Sequence, residues 1–281
     1  MELIYGRPVA DKILSGVKEE IIQSGIVPGL AVILIGNDPA SHLYVRLKEK
    51  ASEEMGMHFE KHVFSETDSE ESILKKIEGL NTSEDIHGII VQVPLPEGFD
   101  TDKIIAAIDP GKDADGFHPK TVEQFLAGDA AKIPVFPDAL LELGKASGRS
   151  FSGLQGVAIV NSEYFGRVML RAMENEGMTG RMVLADDFKK DSGVMGEADI
   201  IFSACGIPGM IRSEHVKDGA ILIDGGITKR GEKIMGDADA ESVALKAGFL
   251  SPVPGGVGPV TIACLLRRTL LLSQKESKMK K

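Results

Sequence analysis

Strand patterns and helix patterns alternate along almost the whole chain, and this alternation restricts the fold more than any other feature. The apolar run LAVILI at 30–35 is typical of a buried strand, and Asp38 followed by Pro39 is typical of a helix start. In the second half, the apolar runs VAIV, RMVLA, DIIFSA and AILID are separated by segments with helical patterns. Such alternation is typical of mostly parallel sheets covered by helices. The sequence therefore predicts the α/β fold class.

The length of the chain predicts two domains. A chain of 281 residues exceeds the usual size of one compact domain. No low-complexity linker divides it, so the boundary is weakly marked, and we place it near the Pro134–Pro137 segment. Because aromatic residues make up only 5% of the chain and Trp is absent, aliphatic side chains must dominate the cores.

Capping residues predict where the helices begin and end. The helix that begins after Asp38 is expected to run to Met55, with Gly56 in the left-handed position after it. Asp68 with Glu71 resembles a capping box at the start of the next helix. Further helices are predicted in the second half at three places: after Gly166, around Lys189–Gly196 and from Pro259 onward.

Composition excludes several classes of function. The formal net charge of −10 argues against a nucleic-acid surface and against attraction to anionic membranes. The two cysteines, Cys205 and Cys264, lack the spacing of a disulfide framework or a zinc site, so we expect no metal and two small buried thiols. No apolar stretch approaches the roughly 18 residues of a membrane span, and the N-terminus lacks a signal-peptide pattern. We therefore expect a cytoplasmic protein.

The segment SHLYVRLKEKA contains the first candidate for chemistry. Tyr44 and Lys48 are four residues apart on a predicted helix and so share a face, with Leu43 and Leu47 beside them. A partly buried lysine can exchange protons near neutral pH, because burial lowers its pKa from about 10.4. A surface helix with ordinary ion pairs is the alternative. Short-chain dehydrogenases also carry Tyr-x-x-x-Lys, but they need a glycine-rich turn upstream, and LIGNDP has one glycine.

Gln92 lies at the end of the predicted buried strand IHGIIVQV, directly before PLP. In α/β sheets, ligand-binding groups are found at the carboxyl ends of strands. An amide in this position must be hydrogen-bonded, either to a functional partner or to the backbone as a cap. The sequence leaves both possibilities open.

The segment KDADGFHP contains Asp113, Asp115 and His118. It has some likeness to a calcium loop, but Phe117 stands at a ligand position and no Glu closes the loop, so we reject a metal site. One carboxylate could instead bind the N–H groups of a polar heterocycle. The alternative is an Asx-turn made with Gly116.

The loop SPVPGGVGPV leads into an apolar helix. Prolines and glycines restrict or extend the backbone in ways that a simple connection does not need, and backbone N–H groups at a helix start can hold an anion or a carbonyl. We therefore favour a functional loop here.

The segment GVAIVNSEYFGRVML at 156–170 predicts a buried strand, a tight turn and a helix start. Dinucleotide phosphates bind at such turns, although the turn usually contains more glycines than this one does. Taken alone, the segment leaves open whether it is a nucleotide site or only a turn.

These motifs occur in a characteristic order: YVRLKEKASEEMG, GIIVQVPLP, KDADGFHP, the strand–turn–helix, LIDGGI and PVPGGVGPVT. In this order they resemble the FolD family of bifunctional methylenetetrahydrofolate dehydrogenases and methenyltetrahydrofolate cyclohydrolases. The resemblance covers nearly the whole chain. It implies an N-terminal three-layer α/β domain of residues 1–135 with 262–281, and a Rossmann-like parallel-sheet domain of residues 136–261. It also implies that the C-terminal helix packs back on the first domain, that a cleft between the domains holds folate and cofactor, and that the protein is a homodimer.

The resemblance also implies roles for residues on the folate side. Lys48 matches the catalytic lysine, the proton carrier of the cyclohydrolase step, and Gln92 matches the glutamine that partners it. Tyr44 would stack on the folate, and Asp115 would anchor the pterin ring. The family's other substrate-contacting positions correspond to Leu95, Gly255, Gly256, Pro259 and Thr261.

On the cofactor side, the chain departs from the family. The usual Gly-(Arg or Ala)-Ser-x-x-Val-Gly-x-Pro is changed, with Val160 in place of the first glycine and Val168 in place of the proline. Asn161 tolerates a left-handed backbone better than most residues, while Glu163 would repel a pyrophosphate. The positions that match the family's cofactor contacts are Val160, Asn161, Ser162, Gly166, Asp186 and Ile227.

Two aspartates bear on the choice of cofactor. Asp186 and Asp187 follow the second strand of the predicted Rossmann-like domain, where an acidic residue binds the ribose hydroxyls of NAD. NADP is the usual cofactor in the family, and Arg181 or the lysines 189 and 190 could supply a cation for its 2′-phosphate. We expect NADP on the family resemblance, with NAD as the close alternative on local charge.

The resemblance predicts oxidation of 5,10-methylenetetrahydrofolate with NAD(P), followed by hydrolysis to 10-formyltetrahydrofolate. A cyclohydrolase that has lost hydride transfer is one alternative, since the cofactor turn is altered. A nonenzymatic folate-binding protein is another, but the presence of Tyr44, Lys48 and Gln92 argues against it.

Overall fold

A computed structural model describes residues 1–188, 193, 195–231 and 233–279. The strands are β1 (Glu2–Leu3), β2 (Gly29–Ile35), β3 (His58–Phe64), β4 (Gly88–Val91), β5 (Gln155–Val160), β6 (Thr179–Leu184), β7 (Ile200–Ala204), β8 (Ile221–Asp224), β9 (Thr228–Arg230), β10 (Lys233–Met235) and β11 (Phe249–Leu250). The helices are α1 (Gly6–Ser24), α2 (Pro39–Met55), α3 (Glu70–Thr82), α4 (Thr101–Ala106), α5 (Pro119–Leu126), α6 (Val135–Lys145), α7 (Glu163–Asn175), α8 (Ala240–Val243) and α9 (Val257–Met279). The helix predicted around Lys189–Gly196 lies largely outside the described residues.

The chain divides into two compact units. The small-sheet unit contains Lys12–Glu123 and the residues from Ile262 onward, and the large-sheet unit contains Met1–Asp11 and Gln124–Thr261. The division predicted from the sequence, 1–135 with 262–281 against 136–261, remains a prediction.

The small-sheet unit is built on three parallel strands in the order β3-β2-β4. All seven residues of the central strand β2 are buried, which explains its unbroken apolar run. Helix α3 covers the sheet with Ile73 and Ile77, which are fully buried in the same core as Ile33 and Ile89. This core holds the ends of β2 and β4 in place, so that the residues following them have defined positions.

The caps of α2 confirm the prediction, whereas those of α3 correct it. The Asp38 carboxylate accepts a hydrogen bond from Ser41 N, and Gly56 closes α2 in the left-handed region with φ of 75°. The cap of α3 is Ser69 rather than Asp68, whose carboxylate accepts from Ser65 N in the preceding turn. Neighbouring capping residues compete for one helix start, and the pattern of residue types alone did not separate them.

The large-sheet unit contains a six-stranded sheet in the order β1-β11-β8-β7-β5-β6. Every strand pair in it is parallel, which confirms the predicted Rossmann-like architecture. The chain passes from β5 to β6 on one side and continues with β7 on the other side of β5. The carboxyl ends of β5 and β7 therefore flank the topological switch point, where such sheets bind ligands.

Among the described residues, no helix is both long enough and apolar enough to cross a membrane. In the same part of the chain, no group of three or more His, Cys, Asp or Glu side chains is arranged to hold a metal ion. Cys205 and Cys264 are buried free thiols, as predicted.

Candidate active site

Lys48 and Gln92 form a direct contact in the small-sheet unit. The Lys48 Nζ donates a hydrogen bond of 2.7 Å to Gln92 Oε1. The amide of Gln92 is oriented from its other end, because its Nε2 donates to the Val93 carbonyl at 2.8 Å. Its backbone is fixed as well, since Gln92 N donates to Ile33 O beyond the end of β4. The two residues are 44 positions apart in sequence, and the sheet and α2 bring them together.

The surroundings of Lys48 favour its neutral form. Burial lowers the pKa of the Lys48 ammonium, and the nearby Asp115 carboxylate opposes this shift in part. Burial also raises the pKa of Asp115, against the influence of Lys48 and Arg268. A lysine with a lowered pKa can take up and release a proton near neutral pH.

Tyr44 lies one helical turn before Lys48 on α2 and is half-buried. Burial raises the pKa of the Tyr44 phenol, so the ring remains neutral and protonated at physiological pH. Leu95 lies beyond Gln92, partly buried, and packs against the core of the small-sheet unit.

Asp113 and Asp115 have different positions in the loop that precedes α5. Asp113 is buried, and its carboxylate accepts hydrogen bonds from Gly116 N at 2.9 Å and from His118 N at 3.0 Å. Gly116 has φ of 85°, which glycine adopts without strain. Asp113 therefore makes the local bond with Gly116 that was the alternative to a ligand role, although this bond spans three residues rather than the two of an Asx-turn. Asp115, which is half-buried, interacts electrostatically with Lys48.

Arg268 is a buried residue of α9 that no sequence pattern singled out. Its Nε donates a hydrogen bond of 3.1 Å to the Asp113 carbonyl, and its charge favours the ionised form of Asp115. No spacing rule connects residues 155 positions apart, so only the packing of α9 against this loop reveals the contact.

In the large-sheet unit, the turn after β5 has the form of a helix N-terminus. Helix α7 begins at Glu163, not after Gly166 as predicted, and the Ser162 side chain caps it by accepting from Phe165 N. Gly166 lies against Met182 of β6, so closely that a Cβ atom at this position would overlap the Met182 sulfur. A glycine here allows the close packing of helix and strand that a dinucleotide-binding turn requires.

Asn161 differs from the prediction. No residue other than glycine has positive φ in the described part of the chain, so Asn161 does not use a left-handed backbone. Instead, its Nδ2 donates a hydrogen bond of 2.8 Å to the Cys205 carbonyl, in the loop after β7. Val160, at the end of β5, is buried in the sheet.

Other predicted cofactor contacts lie at the carboxyl ends of neighbouring strands. Asp186 is exposed in the 3₁₀ turn Ala185–Asp187 that follows β6. Ile227 is 50% exposed and lies in the loop that follows β8. The lysines 189 and 190 proposed as cation donors lie outside the described residues, and Arg181 is exposed on β6.

The proline–glycine loop belongs to the large-sheet unit. Gly255 has φ of 104°, and its carbonyl accepts from Gly6 N at 2.8 Å. Gly6 in turn lies directly against the Gly256 carbonyl. Helix α9 begins at Val257 rather than at Pro259, which lies in its first turn. Thr261 Oγ1 donates to the Val257 carbonyl.

Comparison with known proteins identifies the family of this chain. The model of the catalytic domain of tetrahydrofolate dehydrogenase/cyclohydrolase matches residues 4–115. The model of the NAD(P)-binding domain of the same enzymes matches residues 134–277. The chain belongs to the tetrahydrofolate dehydrogenase/cyclohydrolase family.

Relatives of this family member match it over nearly the whole length. The bifunctional protein FolD of Paramagnetospirillum magneticum is 41% identical and covers 98% of this chain and 95% of its own. The bifunctional protein FolD of Listeria innocua is 40% identical and covers 99% of both chains. The resemblance to the FolD family drawn from the motifs is confirmed.

Solved structures of the family have the same fold. The bifunctional FolD enzyme of Campylobacter jejuni superposes with a TM-score of 0.92 at 37% identity and covers 98% of this chain and 99% of its own. The FolD enzyme of Trypanosoma brucei, solved with NADP and an inhibitor, has a TM-score of 0.91 at 32% identity and covers 98% of both chains. The predicted fold class is confirmed, as is the prediction of an enzyme of this bifunctional class with an NAD(P)-binding domain.

Asp224 and Asp237 of this FolD-family chain form a buried carboxylate pair that no sequence pattern predicted. Burial and the charge of Asp237 raise the pKa of Asp224 to about 6, although backbone N–H groups donate to its carboxylate. A short Asp-Gly-Gly signal at 224–226 was visible in the sequence, but nothing in it indicated a partner at 237.

Proposed function

We propose that this FolD-family enzyme oxidises 5,10-methylenetetrahydrofolate with NAD(P) and hydrolyses the product, 5,10-methenyltetrahydrofolate, to 10-formyltetrahydrofolate, with Lys48 as the proton carrier of the second step. The observation that carries the assignment of Lys48 is its 2.7 Å hydrogen bond to Gln92 in a setting that lowers the lysine pKa. An ordinary surface ion pair would have an opposite charge as partner and an unshifted lysine.

The contact with Gln92 orients the lone pair of Lys48. A neutral amine has two N–H bonds and one lone pair, and the hydrogen bond to Gln92 Oε1 uses one N–H. The lone pair is then directed away from Gln92, where it can receive a proton from water. After protonation, the ammonium still donates to Gln92, and the Asp115 carboxylate favours the new charge.

Proton transfer completes the hydrolysis. Water adds to the electrophilic methenyl carbon, and Lys48 takes one of its protons. When the bond from this carbon to N5 breaks, N5 gains a proton and the new hydroxyl group loses its own as the formyl carbonyl forms. The net result is the release of one proton, which returns Lys48 to its neutral form.

The remaining substrate residues serve in binding. Asp115 would accept hydrogen bonds from the N–H groups of the pterin ring, and Tyr44 would stack on it. Leu95 would supply apolar contact. The loop residues of the large-sheet unit that we assign to the substrate are Gly255, Gly256, Pro259 and Thr261.

The large-sheet unit supplies the residues that would hold the nicotinamide cofactor. The tight packing of Gly166 on Met182 and the Ser162 cap at the start of α7 fit a dinucleotide-binding turn. When bound, the cofactor accepts a hydride from the methylene carbon of the folate. The protein's part in this step is to position the two reactants. We assign contacts with the cofactor to Val160, Asn161, Ser162, Gly166, Asp186 and Ile227.

We propose NADP as the cofactor, since a FolD relative at 32% identity was solved with NADP. One observation favours NAD as the second candidate. Asp186 is exposed directly after β6, where its carboxylate would repel a 2′-phosphate and accept hydrogen bonds from ribose hydroxyls. We further propose that the protein is a homodimer that acts in the cytoplasm.

One assay tests the proposed function and both alternatives. Purified enzyme is given methylenetetrahydrofolate with NAD or NADP, and cofactor reduction and formyl product are followed separately. We expect both signals, and the more effective cofactor identifies the preference. Formyl product from added methenyl substrate without any cofactor reduction would leave a cyclohydrolase alone. If both signals are absent while folate still binds, the protein is a folate-binding protein without enzyme activity.

A further inference from the structure

A buried carboxylate holds the loop that follows β7. Asp237 is 0% exposed, and its Oδ2 accepts hydrogen bonds from Ser203 Oγ at 2.5 Å and from Cys205 N at 2.8 Å. Its Oδ1 accepts from Ile207 N at 2.7 Å. A buried carboxyl group is costly unless its oxygens accept hydrogen bonds, and here the donors come from the end of β7 and the loop after it. Asp237 therefore fixes both ends of the Cys205–Ile207 loop.

Two side chains hold the carbonyl groups of the same loop. Asn161 Nδ2, in the turn after β5, donates to the Cys205 carbonyl at 2.8 Å. Thr228 Oγ1, just after the β8 loop, donates to the Gly206 carbonyl at 2.7 Å. Three side chains that are far from the loop in sequence, those of Asn161, Thr228 and Asp237, thus bind its backbone. A segment that only connected two elements would not need such constraint.

The carboxylate of Asp237 is itself supported. Its backbone N–H donates to Asp224 Oδ1 at 3.1 Å, and Asp224 Oδ1 also accepts from Gly226 N at 2.9 Å. A Cβ atom at Gly226 would overlap the Asp237 carboxylate, so this glycine allows the backbone to pass beside it. The loops after β7 and β8 are therefore joined through one buried polar network.

The network lies where the large sheet is expected to bind its ligand. The hydrogen bond from Asn161 to Cys205 joins the carboxyl ends of β5 and β7, which flank the topological switch point. Ile227, which we assign to the cofactor, lies directly before Thr228. The turn after β5, the loop after β7 and the loop after β8 are consequently held by the same few hydrogen bonds.

We propose that Asn161, Thr228 and Asp237 are positioning residues that fix the Cys205–Ile207 loop as part of the floor of the nicotinamide cofactor site. This inference rests on the proposed function of the large-sheet unit. It gives a role to Asn161, which stands where the family usually has Arg or Ala. The turn has lost a glycine, and the Asn161 side chain restrains the neighbouring loop instead.

The first measurement is cofactor affinity. Asn161→Ala and Thr228→Val each remove one hydrogen bond from the loop, and both positions can lose the polar group without leaving a buried charge. Titration calorimetry with NADPH and NADH should show dissociation constants raised by roughly 3- to 10-fold for each variant.

Asp199→Asn is the matched control. The Asp199 carboxylate also accepts from a backbone N–H of the large-sheet unit, that of Gln155, but at the amino end of β5. Its loss should leave the dissociation constants of both cofactors unchanged. A change in this control equal to that in Asn161→Ala would mean that the effect is general and would overturn the proposal.

Hydrogen exchange separates positioning from direct contact. In protein without cofactor, the amides of Cys205 and Ile207 should exchange faster in Asn161→Ala and Thr228→Val than in wild type, because the loop is less restrained. Weaker cofactor binding with unchanged exchange would show that the side chains act only by touching the cofactor, which overturns the inference. A wild-type enzyme that binds neither cofactor would instead refute the proposed function.

Asp237→Asn gives a more severe test. An amide at this position keeps one acceptor oxygen but directs N–H groups at backbone donors. If the variant folds, its loop amides should exchange fastest of all, with the largest loss of cofactor affinity. If it does not fold, the Asn161→Ala and Thr228→Val variants alone test whether these side chains position the loop.

Discussion

The Lys48 site and the turn after β5 are two parts of one enzyme that follow their family to different degrees. At the first, Tyr44, Lys48, Gln92 and Asp115 are predicted to match the family's site residues, and the structure brings Lys48 and Gln92 into direct contact. At the second, the first glycine and the proline of the pattern are replaced, yet the turn still has a capped helix start and a close glycine at 166.

The difference reflects what each site requires. Proton transfer depends on particular side chains with particular pKa values, so few residue types can replace them. A dinucleotide turn depends mainly on backbone geometry and on a helix N-terminus, which several sequences can build. The Lys48 site therefore tolerates little change in its residues. The turn after β5 can be stabilised in other ways, and we propose that the Asn161 side chain provides one of them.

Replacing Lys48 should have the largest effect on activity. Lys48→Ala should lower the rate of methenyl hydrolysis by about a thousandfold, because it deletes the proton carrier, while folate binding persists. Stopped-flow hydrolysis and folate titration measure the two effects. Lys50→Ala, on the same helix with an exposed side chain paired to Glu54, is the control and should behave as wild type. Undiminished hydrolysis in Lys48→Ala would refute the assignment.

Changing the partner of the lysine should alter the pH profile. Gln92→Glu places a carboxylate against Lys48 and favours its charged form, which raises the lysine pKa above that in the wild type. Because the base acts when neutral, the hydrolysis rate rises with pH through this pKa, and the rising limb should move to higher pH. At neutral pH the rate should fall roughly 10- to 100-fold, which is part of the 10²- to 10⁴-fold that general base catalysis contributes. An unchanged pH profile would mean that residue 92 does not influence the protonation of Lys48.

Asp115→Asn tests substrate binding on the same side. The loss of a charged acceptor for the pterin N–H groups should weaken folate binding by roughly 30-fold, since hydrogen bonds to charged groups contribute about 2 kcal/mol. Asp109→Asn is the control, because the Asp109 carboxylate accepts a local bond from Gly111 N at the start of the same loop. Equal affinities in the two variants would argue against Asp115 as the anchor.

On the cofactor side, Asp186→Asn should change preference rather than rate. Removing this exposed carboxylate lessens repulsion of the 2′-phosphate and weakens the hold on ribose hydroxyls. The ratio of kcat/KM for NADP to that for NAD should increase about 5- to 10-fold, whichever cofactor the wild type prefers. An unchanged ratio would mean that residues other than Asp186 determine the cofactor preference.

The smallest effect is expected at the turn itself. Glu163→Gln removes a negative charge from the first turn of α7, where it would repel a pyrophosphate, so the KM for either cofactor should fall about 2- to 3-fold at low salt. The difference should shrink as the salt concentration rises. Glu174→Gln, in the last turn of α7, is the control. A rise in KM would mean that Glu163 assists binding through the helix dipole.

The placement of Tyr44, Lys48 and Gln92 could be predicted because these residues lie at positions that local rules identify. Four-residue spacing places Tyr44 and Lys48 on one face, and a strand end places Gln92 at the edge of the sheet. The strands of the large sheet were likewise visible as apolar runs. The start of α7 was predicted too late, since Gly166 was interpreted as part of the turn although it serves close packing inside the helix.

What escaped prediction depends on contacts between distant segments. Asp237 bonds to residues more than 30 positions away, and Arg268 reaches a loop 155 positions away. No periodicity or spacing links such pairs, because the folded sheet and helices create them. Asn161 was noticed for its backbone tolerance, but its actual partner lies in the loop after β7.

The contact between Gly6 and Gly255 has a consequence for the order of folding. The hydrogen bond from Gly6 N to Gly255 O, together with the pairing of β1 and β11, joins residues separated by almost the entire chain. Contacts of such high sequence separation form late, because a long loop must close before they contribute. The proline–glycine loop can therefore reach its final shape only after synthesis is nearly complete. A polypeptide still emerging from the ribosome would have the Lys48–Gln92 segments before it has the loop that we assign to the substrate.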